Sequence, residues 1–304
     1  MLLNDLKDKK IISPPDWLAQ NTLYLTIMGS VAYGVSEDTS DFDTYGYAIP
    51  PRHFLFPHLR GHIAGFGKEP EKFDNYQQHH CFDPDALGGK GREYDFDIYN
   101  ITRFFTLCMK GTPNSIDALY TPRNCVLHST FVSEMVRDKR HLFLSKKIWW
   151  TFKGYSLSQL NKANGKNPEE GSKRKKLRDK YGMDTKYLYH VVRLLSECEQ
   201  ILMYENLDLQ EKGRREHMKA IRRGEVSEAD IRAWAADKEK HLENLFHNSR
   251  LRDRPDEDAI RQLLIDCLEH HYGSLGECVV NENEALVALR EIQSIIEKKK
   301  TLLG

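Results

Sequence analysis

The chain has 304 residues, 40% hydrophobic and 30% charged, a composition that supports one large or two modest soluble domains with a real core. Its 45 basic and 45 acidic side chains cancel, which excludes a global pull toward nucleic acid or an anionic membrane and leaves such affinity to local patches. No apolar run approaches the roughly 20 residues of a membrane helix.

The N-terminal "MLLNDLKDKKIISPPDW" is charged early and lacks the basic-then-apolar order of a secretory signal. The six cysteines, at 81, 108, 125, 198, 267 and 278, form no CxxC and read as reduced thiols, so a cytoplasmic address is expected. "PPDWLAQ" predicts a short helix with proline in its first turn. "TLYLTIMGS", "TYGYAIP" and "EYDFDIYNI" are β-branched and aromatic runs bounded by turn residues and predict three strands. Residues 61–92 read as a long polar insertion between the second and third strands, of the kind that covers a site or stays unstructured. "ITRFFTLCMKG" has helical spacing and ends on glycine.

Past residue 125 the pattern changes. Segments 129–143, 146–163, 184–205, 227–246, 256–273 and 281–300 are each amphipathic, several with an Asp, Ser or Asn cap. Basic stretches interrupt them at 164–182, expected as a mobile loop, and at 210–228. The expected architecture is α+β: a catalytic-type mixed-sheet domain over 1–125 and an α-helical domain over 126–304.

The chemistry concentrates in "GSVAYGVSEDTSDFDTYGYAIP" (29–50). Asp41 and Asp43, two apart ahead of a strand pattern, share a face, and two carboxylates so close repel unless a cation lies between them. Glu93, Asp95 and Asp97 alternate with Tyr94, Phe96 and Ile98, putting three more acids on one strand face. Asp41 and Asp43 also fit a self-bonded loop, and the second row fits a charged edge strand that blocks aggregation. His79-His80-Cys81 and Cys267 with His270-His271 each fall short of four zinc ligands. No P-loop or dinucleotide-binding glycine pattern follows a strand.

"GSVAYGVSEDTSDFDTYG" resembles the Gly-Ser…Asp-x-Asp signature of the DNA polymerase β-type nucleotidyltransferases, and more narrowly the RNA-repair-associated, RlaP-like group. "DIYNITRFF", "MKGTPNSIDALYTP", "TKYLYHVVRLL" and "IRRGE" follow in that group's order. Val31 departs from it, standing where a polar residue is common. The resemblance implies a polymerase β-like fold and transfer of a nucleoside monophosphate from an NTP, ATP among the candidates, to a hydroxyl, with release of pyrophosphate. It implies phosphate contacts at Gly29 and Ser30, and Mg²⁺ or Mn²⁺ on Asp41, Asp43 and a third carboxylate. Asp97 is the first choice for that third position and for activating the hydroxyl; Asp95 is the alternative.

Lys186, His190 and Arg193, at i, i+4 and i+7, share a helical face and are expected to hold the triphosphate. An RNA 3′ end, a tRNA end included, is the expected acceptor, bound through the basic stretches 173–180 and 212–223. Trp149, Trp150, Phe152 and Tyr155 are candidates to stack bases, although helical spacing also suits them to a core. The alternatives are a non-catalytic RNA-binding module on the same fold, or a toxin-like transferase acting on tRNA or protein.

Overall fold

The computed structural model describes residues 1–36, 41–63, 65–163 and 173–278, with helical positions 289, 292, 293, 295, 296 and 299 beyond them. Most of the last expected helix, 281–300, lies outside the described residues. Five strands, β1 (Thr22–Ile27), β2 (Phe42–Ala48), β3 (Asn75–Asp83), β4 (Arg92–Asn100) and β5 (Val126–Ser129), form one mixed sheet in the order β3-β4-β2-β1-β5. β2 and β4 run parallel; every other neighbouring pair is antiparallel.

Two strands escaped the sequence pattern. β3 lies inside the polar insertion expected as a loop: it is an edge strand whose exposed face carries Gln77, His79, His80 and Phe82, so its composition reads as polar. β5 follows residue 125 and pairs with β1, bringing four residues from the segment expected as purely helical into the sheet. The loop expected at 164–182 is also corrected in its described part, where Lys173–Tyr181 is helical. Residues 164–172 lie outside the described residues.

The sheet has two covered faces. Tyr94, Phe96 and Ile98 of β4, with Leu25 and Ala48, pack on the N-terminal segment through Leu3, Leu6, Ile12 and Leu18, part of it the helix α1 (Leu2–Asp8). The other face meets α2 (Ile101–Met109) and α3 (Pro113–Tyr120), capped by Asn100 and opened by Pro113 respectively. Its core continues unbroken through α4 (Phe131–Asp138), α5 (Ile148–Ala163), α6 (Lys173–Tyr181), α7 (Thr185–Tyr204), α8 (Lys212–Arg222), α9 (Glu228–Asn248) and α10 (Glu257–Tyr272). Trp149 and Phe152 belong to this core, whereas Trp150 is 59% and Tyr155 45% exposed.

α7 is the spine of the helical part, packed against α5, α8 and α9. Asp184 caps it, accepting from the amides of Lys186 (3.1 Å) and Tyr187 (3.2 Å). Near its middle, Arg193 turns inward, only 5% exposed, and donates to the Asp117 carboxylate of α3 and to the Tyr33 hydroxyl oxygen (2.7 Å). Tyr33 in turn donates to Asp117 (2.8 Å), and Glu197 lies 3.3 Å from the same guanidinium.

Two carboxylates share this buried cation, and Glu197 Oε1 has no hydrogen-bond partner among the described residues. Burial, ahead of the opposing pull of Arg193, pushes the Glu197 carboxyl up to about 8. Because the unfolded carboxyl titrates near 4.5, its stabilising contribution is complete below that pH and is lost as pH rises toward 8. Glu197→Gln, which mimics the protonated acid, should therefore flatten the fall in melting temperature between pH 5 and 8. Parallel curves for variant and wild type would show that Glu197 is ionised throughout.

Candidate active site

The turn after β1 is built around Gly29. Its φ of +65° lies in the left-handed region, and a Cβ there would fall 2.1 Å from Asp43 Oδ2. Only a glycine lets the turn close onto that carboxylate. The one-turn helix Gly29–Ala32 follows, carrying Ser30, and the Met28 amide donates to the Asp43 carbonyl (2.6 Å).

The helical half holds this turn from outside. Gln210 donates to the Ala32 carbonyl (3.2 Å), Arg222 to the Val35 carbonyl, and Arg193 to Tyr33. Gly34, with φ +67°, gives room to the Arg215 side chain, whose Cδ would lie 2.9 Å from a Cβ. Part of the basic stretch 212–223 is thus spent within the protein: Arg214 donates to the Asp208 carbonyl, Arg223 pairs with Glu225 and Lys219 with Glu216. Of the stretch 173–180, Lys175 pairs with Asp179 and Arg178 donates to the Ala163 carbonyl; the side chains of Lys173 and Arg174 lie outside the described residues.

Asp41 sits just ahead of β2 and Asp43 within it. In the parallel β2–β4 ladder, Asp43 stands opposite Asp95, and Tyr45 stands opposite Asp97. Glu93, Asp95 and Asp97 occupy the half-buried face of β4 while Tyr94, Phe96 and Ile98 go to the core, as the alternation predicts. Tyr45 and Tyr99 meet ring to ring at 5.0 Å below the acids, and the Tyr45 hydroxyl bonds Ser115 Oγ at 2.8 Å.

All three acids of the row meet β3, two of them at His80. Asp97 accepts from Gln77 Nε2 and lies 3.4 Å from His79 Nε2. Asp95 accepts from the His80 amide (2.6 Å), and Glu93 Oε1 is 2.5 Å from His80 Nδ1. The bond to Glu93, then the charge of Asp95, raises the His80 imidazole above its ordinary value.

Asp43 is open to solvent yet crowded by protein. Desolvation first, then Asp95, raises its carboxyl; Lys186 opposes the shift, and Asp41 and Asp97 add to it. Charges one strand spacing apart, about 4.8 Å, repel by about 3–4 kcal/mol at an effective dielectric near 20 and by about 1 kcal/mol in full solvent. Even the lower figure matches a good surface ion pair, so the arrangement calls for a cation. A set of carboxylate oxygens suits Mg²⁺ or Mn²⁺.

Of the three cations expected on one face of α7, Lys186 stands in the first turn, where its charge acts on Asp43. His190, its ring tilted against that of Tyr189 at 4.2 Å between centres, is half-buried. Arg193 points into the buried ion cluster.

The model of the RlaP family, described as an RNA repair pathway DNA polymerase beta family, matches residues 7–266. The chain belongs to the RlaP family. No curated protein matches with significance. The family match runs through the sheet and on into α10, so it covers both the acid row and the helices that clamp the Gly29 turn. Among the described residues no helix is long and apolar enough to cross a membrane.

Sequence reading alone did not find the buried Tyr33–Asp117–Arg193–Glu197 cluster or the pairing of His80 with the acid row. The only local signals were a polar "HH" inside a run of alternating residues and a helical Arg and Glu four apart.

Because the Asp43 carboxyl is raised, its ionised form opposes folding at neutral pH and the opposition vanishes at low pH, where folded and unfolded forms are both protonated. Asp43→Asn should raise the melting temperature of the metal-free protein at pH 7. Mg²⁺ or Mn²⁺ is expected to raise the wild-type melting temperature further, and to raise that of the variant less. An equal metal-induced rise in both proteins would remove Asp43 from the metal site.

Proposed function

We propose that this RlaP-family chain is a metal-dependent nucleotidyltransferase that moves a nucleoside monophosphate from an NTP to the 3′ hydroxyl of an RNA. The observation that carries the reading is the packing of the Gly29 turn directly against Asp43, beside Asp95 and within reach of the Lys186 charge. A phosphate-holding turn and a carboxylate row are thereby brought to one spot.

Asp41, Asp43 and Asp95 are the residues proposed to hold the divalent ions. Asp95 is preferred to Asp97 because it is the register partner of Asp43 and its charge acts on Asp43 more strongly. Ions bound there would align the hydroxyl with the α-phosphate and offset charge on the leaving group. The Gly29–Ser30 turn would cradle the phosphates, its conformation fixed by Gln210, Arg222 and Tyr33 before substrate arrives. Lys186, fixed by the Asp184 cap at the start of α7, would meet the negative charge that builds as the α–β phosphoanhydride bond breaks. The hydroxyl oxygen bonds to the α-phosphorus, its proton passes to a carboxylate or to solvent, and pyrophosphate leaves.

Incubating the protein with each labelled NTP, Mg²⁺ or Mn²⁺ and total RNA tests the reading. Label should enter RNA and be lost in Asp43→Ala and Asp95→Ala, while Asp97→Ala retains part of the activity. Gly29→Ala should lose it too, since its Cβ displaces the Asp43 carboxylate. Wild-type transfer by Asp43→Ala would refute the site, and label on protein in place of RNA would refute the acceptor.

RNA contacts are proposed for the exposed Lys176, Lys180 and Lys212 of the two basic stretches. Replacing all three by Gln should weaken RNA binding and reduce the slope of log affinity against log salt by about 2, at about 0.7 per contact to single strands. An unchanged slope would show that these lysines stand clear of the RNA.

A further inference from the structure

The bulge in β3 gives the acid row two histidines that a regular strand would have separated. Gln78 pairs with Phe96 and Cys81 with Tyr94, so three steps along β3 match two along β4. The flanking residues face the N-terminal core: Gln78 bonds the backbone of Ile11 and Ser13, and Cys81 is buried there. The two residues between them, His79 and His80, both go to the acidic side.

His80 takes a left-handed φ of +58° to get there, a conformation that costs a non-glycine residue and persists only where its surroundings impose it. Those surroundings are Asp95, which accepts from its amide, and Glu93, which meets Nδ1. His80, Glu93 and Asp95 each offer one ligand atom, all within 4.8 Å of one another. One imidazole nitrogen with two carboxylates is a donor set for Mn²⁺ and heavier first-row ions, whereas Mg²⁺ takes oxygen alone.

We propose that His80, Glu93 and Asp95 form a binding site for a divalent first-row transition ion, adjoining the Asp41–Asp43 position and sharing Asp95 with it. The imidazole makes the site select Mn²⁺ over Mg²⁺. His79 is turned to Asp97 and lies outside the set. The site needs only these three side chains and holds whether or not the nucleotidyl-transfer reading does.

The test uses the full chain, Mn²⁺ as the probe, an excess of Mg²⁺ as competitor, and electron spin-echo spectroscopy to detect nitrogen bound to the manganese. Wild type should retain Mn²⁺ and show ¹⁴N coupling. His80→Gly, which accepts the positive φ without strain, should lose the coupling and bind Mn²⁺ at least about tenfold more weakly. Asp43→Asn should keep the coupling even though it is expected to lose transfer, which separates this site from the catalytic assignment. Bound Mn²⁺ without nitrogen coupling, coupling that survives in His80→Gly, or full displacement of Mn²⁺ by Mg²⁺ would each overturn the proposal.

Discussion

Arg193 reaches from the buried face of α7 into a space closed by Tyr33, Asp117 and Glu197, and this contact joins α7 to α3 and to the turn after β1. A guanidinium taken out of water is costly, and removing one member of such a buried set typically costs about 3–5 kcal/mol. The three groups around it come from the turn after β1, from α3 and from α7 itself, so the contact ties the helical half of the chain to the sheet at one spot. Seven residues earlier on the same helix, about 10 Å along its axis, Lys186 is held by the Asp184 cap, and its charge acts on Asp43. The same anchor that burdens the fold with two carboxylates on one cation thus fixes a positive charge over the acid row.

The acid row is a continuation of the sheet's own alternation. Tyr94, Phe96 and Ile98 are in the N-terminal core because Glu93, Asp95 and Asp97 are not, and the period of two leaves no intermediate choice. What concentrates charge is the partner strands: Asp43 on one side in parallel register, and a bulged edge strand on the other that turns two consecutive histidines the same way. The acids stand beyond the point where Tyr45 and Tyr99 close the apolar core, and among the described charges Lys186 opposes their repulsion at Asp43.

The basic stretches show how much of a charge run the fold itself can use. Residues 212–223 look like a polynucleotide-binding segment, yet Arg214 and Arg222 are spent on backbone carbonyls and Arg223 on Glu225. Of these, Arg222 joins α8 to the turn at Ala32–Val35, with Gln210 alongside. A count of lysines and arginines carries no information on which of them already have a partner.

The sequence by itself determined the strands that alternate cleanly, the helices with strong caps, the Gly29–Ser30 turn, and the sharing of one face by Glu93, Asp95 and Asp97. All of these depend on neighbours within a few residues, where φ preferences, caps and side-chain period act directly. Only the tertiary structure decided that Asp95 stands beside Asp43, that β3 and β5 complete the sheet, that Arg193 turns inward while Lys186 stays out, and that His80 joins the acids. Each of these is set by register or packing between segments distant in the chain, including a bulge that breaks the period of two, and neither register nor a bulge leaves a reliable mark in the local pattern.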